Sequence, residues 1–453
     1  MSTAHPYIPN LDTDVRAAML KFIGAASIEE FYSDIPTELR VSGLLDLPEP
    51  FLAEQDLVKH VTSLLGKNIP TTKTMSFLGA GTYNHYVPAV VDEVINRAEF
   101  LTAYTGRSYE DHGRYQALFE YESLMAELLN MDVVNVPTYD GLAATSTAIA
   151  MSERITGRRK VIVASDVNPD KFSKVKNFNL RTIDFILVPT VDGVADVAAI
   201  SKLMDSQTAA IWIESPSYLG ALEIAIEKLS QLAHEVGAIL IVGTDPIALG
   251  VIQSPADQGA DIVCGDIQSL GLHQWFGGAH GGFIAVHDDT RFIMEMPSRL
   301  YGLETTSVAG EYGFGEVAYG RTSLAKREAG KEWVGTAAAL WGIAAAVYLS
   351  LMGPAGMREV GETILARTQY AASRLSKVPG LSIKPSAANF REFVLEIKSI
   401  SASDVVAKAR KEGIEPGVVL NNHQILVCVT EMNSQVEIDH LVACLAKIMG
   451  ARS

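Results

Sequence analysis

The chain has no lysine between Lys228 and Lys326. Chemistry that needs a lysine amine as a covalent handle finds none in that stretch. Cysteine is scarce: Cys264, Cys428 and Cys444 lie far apart, with no CxxC and no Cys/His ligand spacing. That excludes a disulfide framework and a cysteine-based zinc site, and it suits a reducing cytoplasm, so a cytoplasmic chain with no metal is expected. Positive charge is in deficit, with 37 Lys and Arg against 53 Asp and Glu, a net charge of -16. A surface this acidic gains nothing from counterion release, so no nucleic acid partner is expected. No GxGxxG follows a strand and no GxxxxGK[ST] occurs; "GAGTYN" (Gly79 to Asn84) has no helix in the right register behind it. Dinucleotide and P-loop sites are thereby excluded. The opening "MSTAHPYIPNLDTDVR" lacks a basic then apolar run, so no secretory signal is expected. Long apolar runs number one, "AAALWGIAAAVYLSLMG" from Ala337 to Gly353. Alanine-rich and closed by Pro354, it reads as a buried helix rather than a membrane span.

What is present is enough apolar residue, 48% of 453, for two or three domains. Residues 1–70 read as an N-terminal helical segment, with helices in "DVRAAMLKFIG", "SIEEFYSDIP" and "FLAEQDLVKHVTSLLGKN". From about 71 to 345, strands such as "VVNVPT", "KVIVAS", "IDFILVPT", "AAIWIES", "AILIVGT" and "ADIVCGD" alternate with helices, including "DGLAATSTAIAMSERITG" and "DVAAISKLMDSQ". This alternation demands an α/β domain with a mostly parallel sheet covered on both faces, and "GGFIAV" reads as a closing antiparallel strand. Residues 346–453 read as a smaller α+β domain.

Four places can carry chemistry, each with a plainer reading beside it. "FLGAGTYNHYVP" (Phe77 to Pro88) gathers Thr82, Tyr83 and Asn84 on a glycine-loosened loop, as a ligand site or as packed aromatics. "PTYDGLAATSTAIAM" begins a helix whose free N–H groups suit a phosphate, yet Asp140 there opposes one and serves equally as an N-cap. Asp245 stands just past a buried strand in "ILIVGTDPIALG", where it can pair with a protonated ring nitrogen or simply make a turn before proline. "DIQSLG" then offers Ser269 or a neighbour where a lysine would complete the set. A phosphate-type turn, a strand-end aspartate and a lysine-type turn follow one another in the order of fold-type-I (aspartate-aminotransferase-like) pyridoxal-phosphate enzymes.

"YIPNLDTDVRAAMLKFIGAASIEEFYSDIP", "FLGAGTYNHYVPAVVDEVINRAEFLTAYT", "LFEYESLMAELLNMDVVN", "GADIVCGDIQSLGL", "FGGAHGGFIA" and "AAAVYLSLMGPAGM" together cover most of the chain. On these the sequence resembles the glycine cleavage system P-protein, specifically the lysine-lacking α subunit (subunit 1) of its two-chain form. The resemblance implies that pyridoxal phosphate and its lysine belong to a homologous β subunit. It further implies that glycine is decarboxylated there and that the aminomethyl group passes to the lipoyl arm of H-protein. Tyr83, Asn84, Tyr104 and Thr105, which keep the family pattern, would then be contributed to the partner's site, while Asp140 and Asp245 are equivalent in the fold only. A homodimer is the expected state without β. Two segments depart from the family: "GRSYEDHGRYQ" (Gly106 to Gln116) and "RTSLAKREAGKEWVGTA" (Arg321 to Ala337, with Trp333). They leave open a paralogous subunit acting on another small amino acid or amine, a non-catalytic partner of a pyridoxal-phosphate enzyme, and a self-sufficient enzyme using Lys326 or Lys331.

Overall fold

A computed structural model of the protein describes residue 7 and residues 12–43, 45–101, 112–297, 299–331 and 338–450. It divides into two units, residues 1–69 and 70–453. In the first, the helix Thr13–Ile23 starts at Asp12, whose carboxylate accepts from Asp14 N, and stops at Gly24 with φ 76°. A second helix spans Glu54–Leu65. Neither helix buries a residue. "SIEEFYSDIP" forms only the short 3-10 turn Ile28–Tyr32. Its Ser27 makes no side-chain cap, and the chain runs on to Pro36 through a single turn, with Ile35 N donating to Tyr32 O at 2.9 Å.

The second unit is built on a seven-stranded sheet. Its strands in chain order are β1 (Val133–Val134), β2 (Lys160–Val163), β3 (Asp184–Leu187), β4 (Thr208–Ser215), β5 (Ile239–Thr244), β6 (Ile262–Asp266) and β7 (Gly282–Val286). The order across the sheet is β1-β7-β6-β5-β4-β2-β3. The five strands from β2 to β6 pair in parallel, and β7 is antiparallel to both of its neighbours. β4 and β5 are buried at every residue, which explains their unbroken apolar character.

Three expected elements are shorter than their apolar runs, each because a side chain takes over main-chain bonding. In "VVNVPT", the Asn135 amide accepts from Ile284 N at 2.6 Å and donates to Val136 O at 2.7 Å, so the ladder stops after two residues. In "DVAAISKLMDSQ" the helix is Val197–Ser201; Asp205 accepts from Gln207 N at 2.9 Å and turns the chain toward β4. The strand expected from Asp261 starts at Ile262, because the Asp261 carboxylate accepts from Leu240 N.

The alanine-rich run forms part of a helix spanning Ala339–Leu375, broken at Gly353, where φ is 57° and ψ −175°, just before Pro354. Among the described residues this is the one helix long and apolar enough to cross a membrane. Its first half packs Ala344, Ala345, Tyr348 and Leu349 into the core under the large sheet. Its second half sends Ala371 and Leu375 into a separate core. That core lies beneath a four-stranded antiparallel sheet, with strands β8 (Leu381–Lys384), β9 (Glu392–Ile397), β10 (Val418–Asn421) and β11 (Gln424–Cys428).

The two sheets meet closely where Gly220 backs onto β9. Phe390 N donates to Gly220 O at 3.0 Å. Gly220 has φ 89°, and a Cβ there would lie 1.8 Å from Glu392 O. Gly220→Ala should therefore destabilise the protein by more than about 3 kcal/mol in urea unfolding. Gly24→Ala, equally left-handed but facing open space, should cost about 1 kcal/mol, the backbone term alone.

Candidate functional site

The carboxyl ends of β4, β5 and β6 open into a cavity of about 430 Å³. Ligands of open α/β sheets bind at that edge, because successive strands leave it in different directions. Six carboxylates line it (Asp140, Asp170, Glu214, Asp245, Asp266 and Glu392) against the permanent cations Lys171, Lys174 and Arg391.

At the centre is a buried ion pair between Asp245 and Arg391. Asp245 Oδ1 also accepts from Ser269 Oγ at 3.2 Å and from Ile247 N at 3.0 Å. Arg391 sits just before β9 at φ 64°, a left-handed conformation that side-chain-bearing residues rarely adopt. Its guanidinium lies 3.3 Å from the centroid of the Tyr83 ring, a cation–π stack. Its Nη1 donates to His85 Nε2 at 2.8 Å, so the other ring nitrogen of His85 faces Glu431, also at 2.8 Å. Burial opposes the charge of Arg391, but Asp245, Tyr83, Cys428 and Glu392 together outweigh it and the pKa is raised. Next to it, Glu392 accepts from Ala80 N at 2.6 Å and from Tyr83 Oη at 2.9 Å. Burial raises the pKa of both Tyr83 and Glu392; the charge of Glu392 raises that of Tyr83 further, while Arg391 and the hydrogen bonds from Ala80 and Tyr83 hold that of Glu392 down without cancelling the rise.

A second cluster lies at the start of the Gly141–Thr156 helix. Asp140 is its N-cap, accepting from Ala143 N at 2.6 Å. Asp266, at the end of β6, accepts from Gly141 N at 2.7 Å and faces His280 Nδ1 at 3.0 Å. His280 Nε2 meets Thr82 Oγ1 at 2.9 Å. Burial works against the charged imidazole, but the bond to Asp266 and its charge prevail, and the His280 pKa is raised. Lys171 is paired with Glu214 and lies over the Trp212 ring.

The structure thus brings Thr82, Tyr83, Asp140, Asp245 and Ser269 to one cavity. Asn84 is close by in the loop, accepting from Thr430 Oγ1 through its main-chain carbonyl. Tyr104 and Thr105 lie outside the described residues, as does Trp333. Sequence reasoning overlooked Arg391, Glu392, His280 and Gln268. Gln268 is buried and brackets Tyr83, accepting from its N–H at 2.9 Å and donating to its carbonyl at 3.0 Å. One signal was available: "REFVLEI" opens a buried apolar strand with two adjacent charges, and buried charges need partners.

A sheet with this strand order, a cavity at its parallel ends, a strand-end aspartate on the floor and a smaller sheet behind define a fold-type-I pyridoxal-phosphate-dependent architecture. The comparisons make it more specific. A family model for the glycine cleavage system P-protein matches residues 5–445. The chain is 36% identical over 449 residues to a probable glycine dehydrogenase (decarboxylating) subunit 1 of Chlorobium limicola, spanning 98% of this chain and 100% of that one. The corresponding protein of Desulforamulus reducens is 37% identical over 451 residues, spanning 98% and 99%. A crystal structure of glycine decarboxylase (P-protein) of the glycine cleavage system, in inhibitor-bound form, matches with a TM-score of 0.87 at 31% identity, covering 98% of this chain and 100% of that one. A sphingosine-1-phosphate lyase of Burkholderia pseudomallei, at 16% identity and a TM-score of 0.66, covers 92% and 95% and shares the fold alone. The chain belongs to the glycine cleavage system P-protein family.

The residues present do not fit covalently held pyridoxal phosphate. Position 269 is serine, and its hydroxyl is spent on Asp245. The helix N–H groups of Gly141 and Ala143 are engaged by carboxylates. Asp245 already holds a cation.

The His280 linkage is open to titration. Its stabilisation should be complete below the ordinary histidine value of about 6.5 and fade as pH rises through the raised one. NMR should place the His280 midpoint above that value, and Asp266→Asn should bring it down.

Proposed function

We propose that this chain is the lysine-lacking subunit of a two-chain glycine decarboxylase. The observation that carries this reading is the pairing of full-length similarity to named subunit 1 proteins with a cavity lined by Ser269 and its neighbour Gln268 where the fold-type-I order would set a lysine. In this reading pyridoxal phosphate is held by a homologous subunit 2, where it supplies the electron sink for loss of CO2 from glycine. The lipoyl arm of H-protein then takes the aminomethyl group. The present chain supplies walls and orientation to that site through the loop carrying Tyr83 and Asn84, together with Tyr104 and Thr105.

Bare apolar surface supports a protein partner. Phe22 and Leu52 of residues 1–69 are 91% and 97% exposed. On the second unit, Trp275 and Phe276 stand out at 58% and 92%, with φ of 41° and 54°. Exposed aromatics on a backbone that resists this conformation are characteristic of recognition surfaces.

The isolated chain should show no visible cofactor absorbance and yield no phosphopyridoxyl-lysine peptide after borohydride. Co-expressed with a subunit 2 homologue, it should elute as one heteromer burying more than about 2,000 Å²; two separate species at micromolar concentration would count against the reading. In that heteromer, Tyr83→Phe and Asn84→Ala should each slow glycine–bicarbonate exchange by about ten- to a hundredfold, the effect of one lost hydrogen bond to a charged group. Unchanged exchange would remove these residues from the site. A wild-type heteromer without exchange would redirect the search to another small amine.

A further inference from the structure

The cavity has room for a cofactor, yet none of its anchoring groups is free. We propose that the chain carries in its own side chains the charges that pyridoxal phosphate would bring: Arg391 stands in for the protonated ring nitrogen on Asp245, and the carboxylates of Asp140 and Asp266 stand in for the phosphate at the start of the Gly141–Thr156 helix.

The substitutions match in sign and, at the helix start, in hydrogen-bonding sense. A protonated ring nitrogen sets one positive charge against a carboxylate, and the guanidinium of Arg391 sets the same charge against Asp245 in an ion pair. A phosphate at a helix N-terminus accepts from its first N–H groups. Here Gly141 N donates to Asp266 at 2.7 Å and Ala143 N to Asp140 at 2.6 Å. The approach is close: a Cβ on Gly141 would lie 3.0 Å from Asp266 Cβ. A dianion brought there would meet two carboxylates in a low-dielectric cavity and would have to displace both. The missing lysine is therefore only one of three barriers. Restoring it alone should not restore the site.

Arg391 also reaches beyond Asp245. Its stack on Tyr83 and its bond to His85 hold the loop at those two residues, while Glu392 and Glu431 take the N–H groups of Ala80 and Tyr86. It acts as a positioning residue for that loop whatever reaction the heteromer performs, and the inference needs no subunit 2.

The test uses the full chain and pyridoxal phosphate, with borohydride trapping and peptide mass spectrometry to count adduct at position 269. Ser269→Lys alone should trap at most a tenth of the adduct formed, at equal cofactor concentration, by Ser269→Lys/Asp140→Asn/Asp266→Asn. Both variants retain the Asp245–Arg391 pair. With pyridoxal, which lacks the phosphate, the two asparagine changes should make no difference. Adding Arg391→Gln should increase the adduct from both aldehydes. Should that variant unfold, refolding by pyridoxal phosphate and not by inorganic phosphate supports the proposal, and no refolding overturns it. Stoichiometric adduct from Ser269→Lys alone, or no gain from the asparagine changes, also overturns it.

Discussion

Asp245 and Arg391 come from distant parts of the sequence, the end of a central parallel strand and the start of a strand in the smaller sheet. Their carboxylate and guanidinium are both nearly excluded from water, with 10% and 5% of their side chains exposed. Such a pair adds little compared with a well-packed apolar contact, but removing one partner strands a buried charge, typically costing 3–5 kcal/mol. The neighbours depend on it in turn. The guanidinium covers the Tyr83 ring, whose hydroxyl reaches Glu392, while Gln268 brackets the Tyr83 main chain. His85 is held between Arg391 and Glu431. One electrostatic constraint thereby ties the glycine-containing loop to both sheets.

The middle of the large sheet was legible because its central strands are buried on both faces and cannot hide among polar residues: β4 and β5 were read almost to the residue from "AAIWIES" and "AILIVGT". Legibility failed where a polar side chain competed with the main chain, as Asn135 does beside β1 and Asp205 does after the Val197–Ser201 helix. In the cavity, the residues adjacent to recognisable turns were found, namely Asp140, Asp245 and Ser269. Arg391 and Glu392 were not, because their partners lie more than a hundred residues upstream and no local pattern announces a long-range ion pair. The two readings offered for Asp140 resolve to the plainer one, an N-cap. Asp245 does both things considered for it in part: it makes the turn, and it binds a cation, but the cation is the chain's own.

The serine at position 269 fits this arrangement rather than interrupting it. A hydroxyl is short enough to reach Asp245 without entering the space above it, and it adds a donor to a carboxylate that already faces a guanidinium. A cavity that had simply lost one residue would leave its remaining groups unpaired, at several kcal/mol for each buried charge. Here the groups on the floor are paired with one another.

A group that is part of the polypeptide is present at fixed effective concentration. Proteins whose folds lean on a dissociable ligand become less stable as that ligand is diluted, by mass action. The guanidinium on Asp245 cannot be diluted. The contact between the two sheets at Asp245 accordingly forms within each folded chain, whatever small molecules surround it.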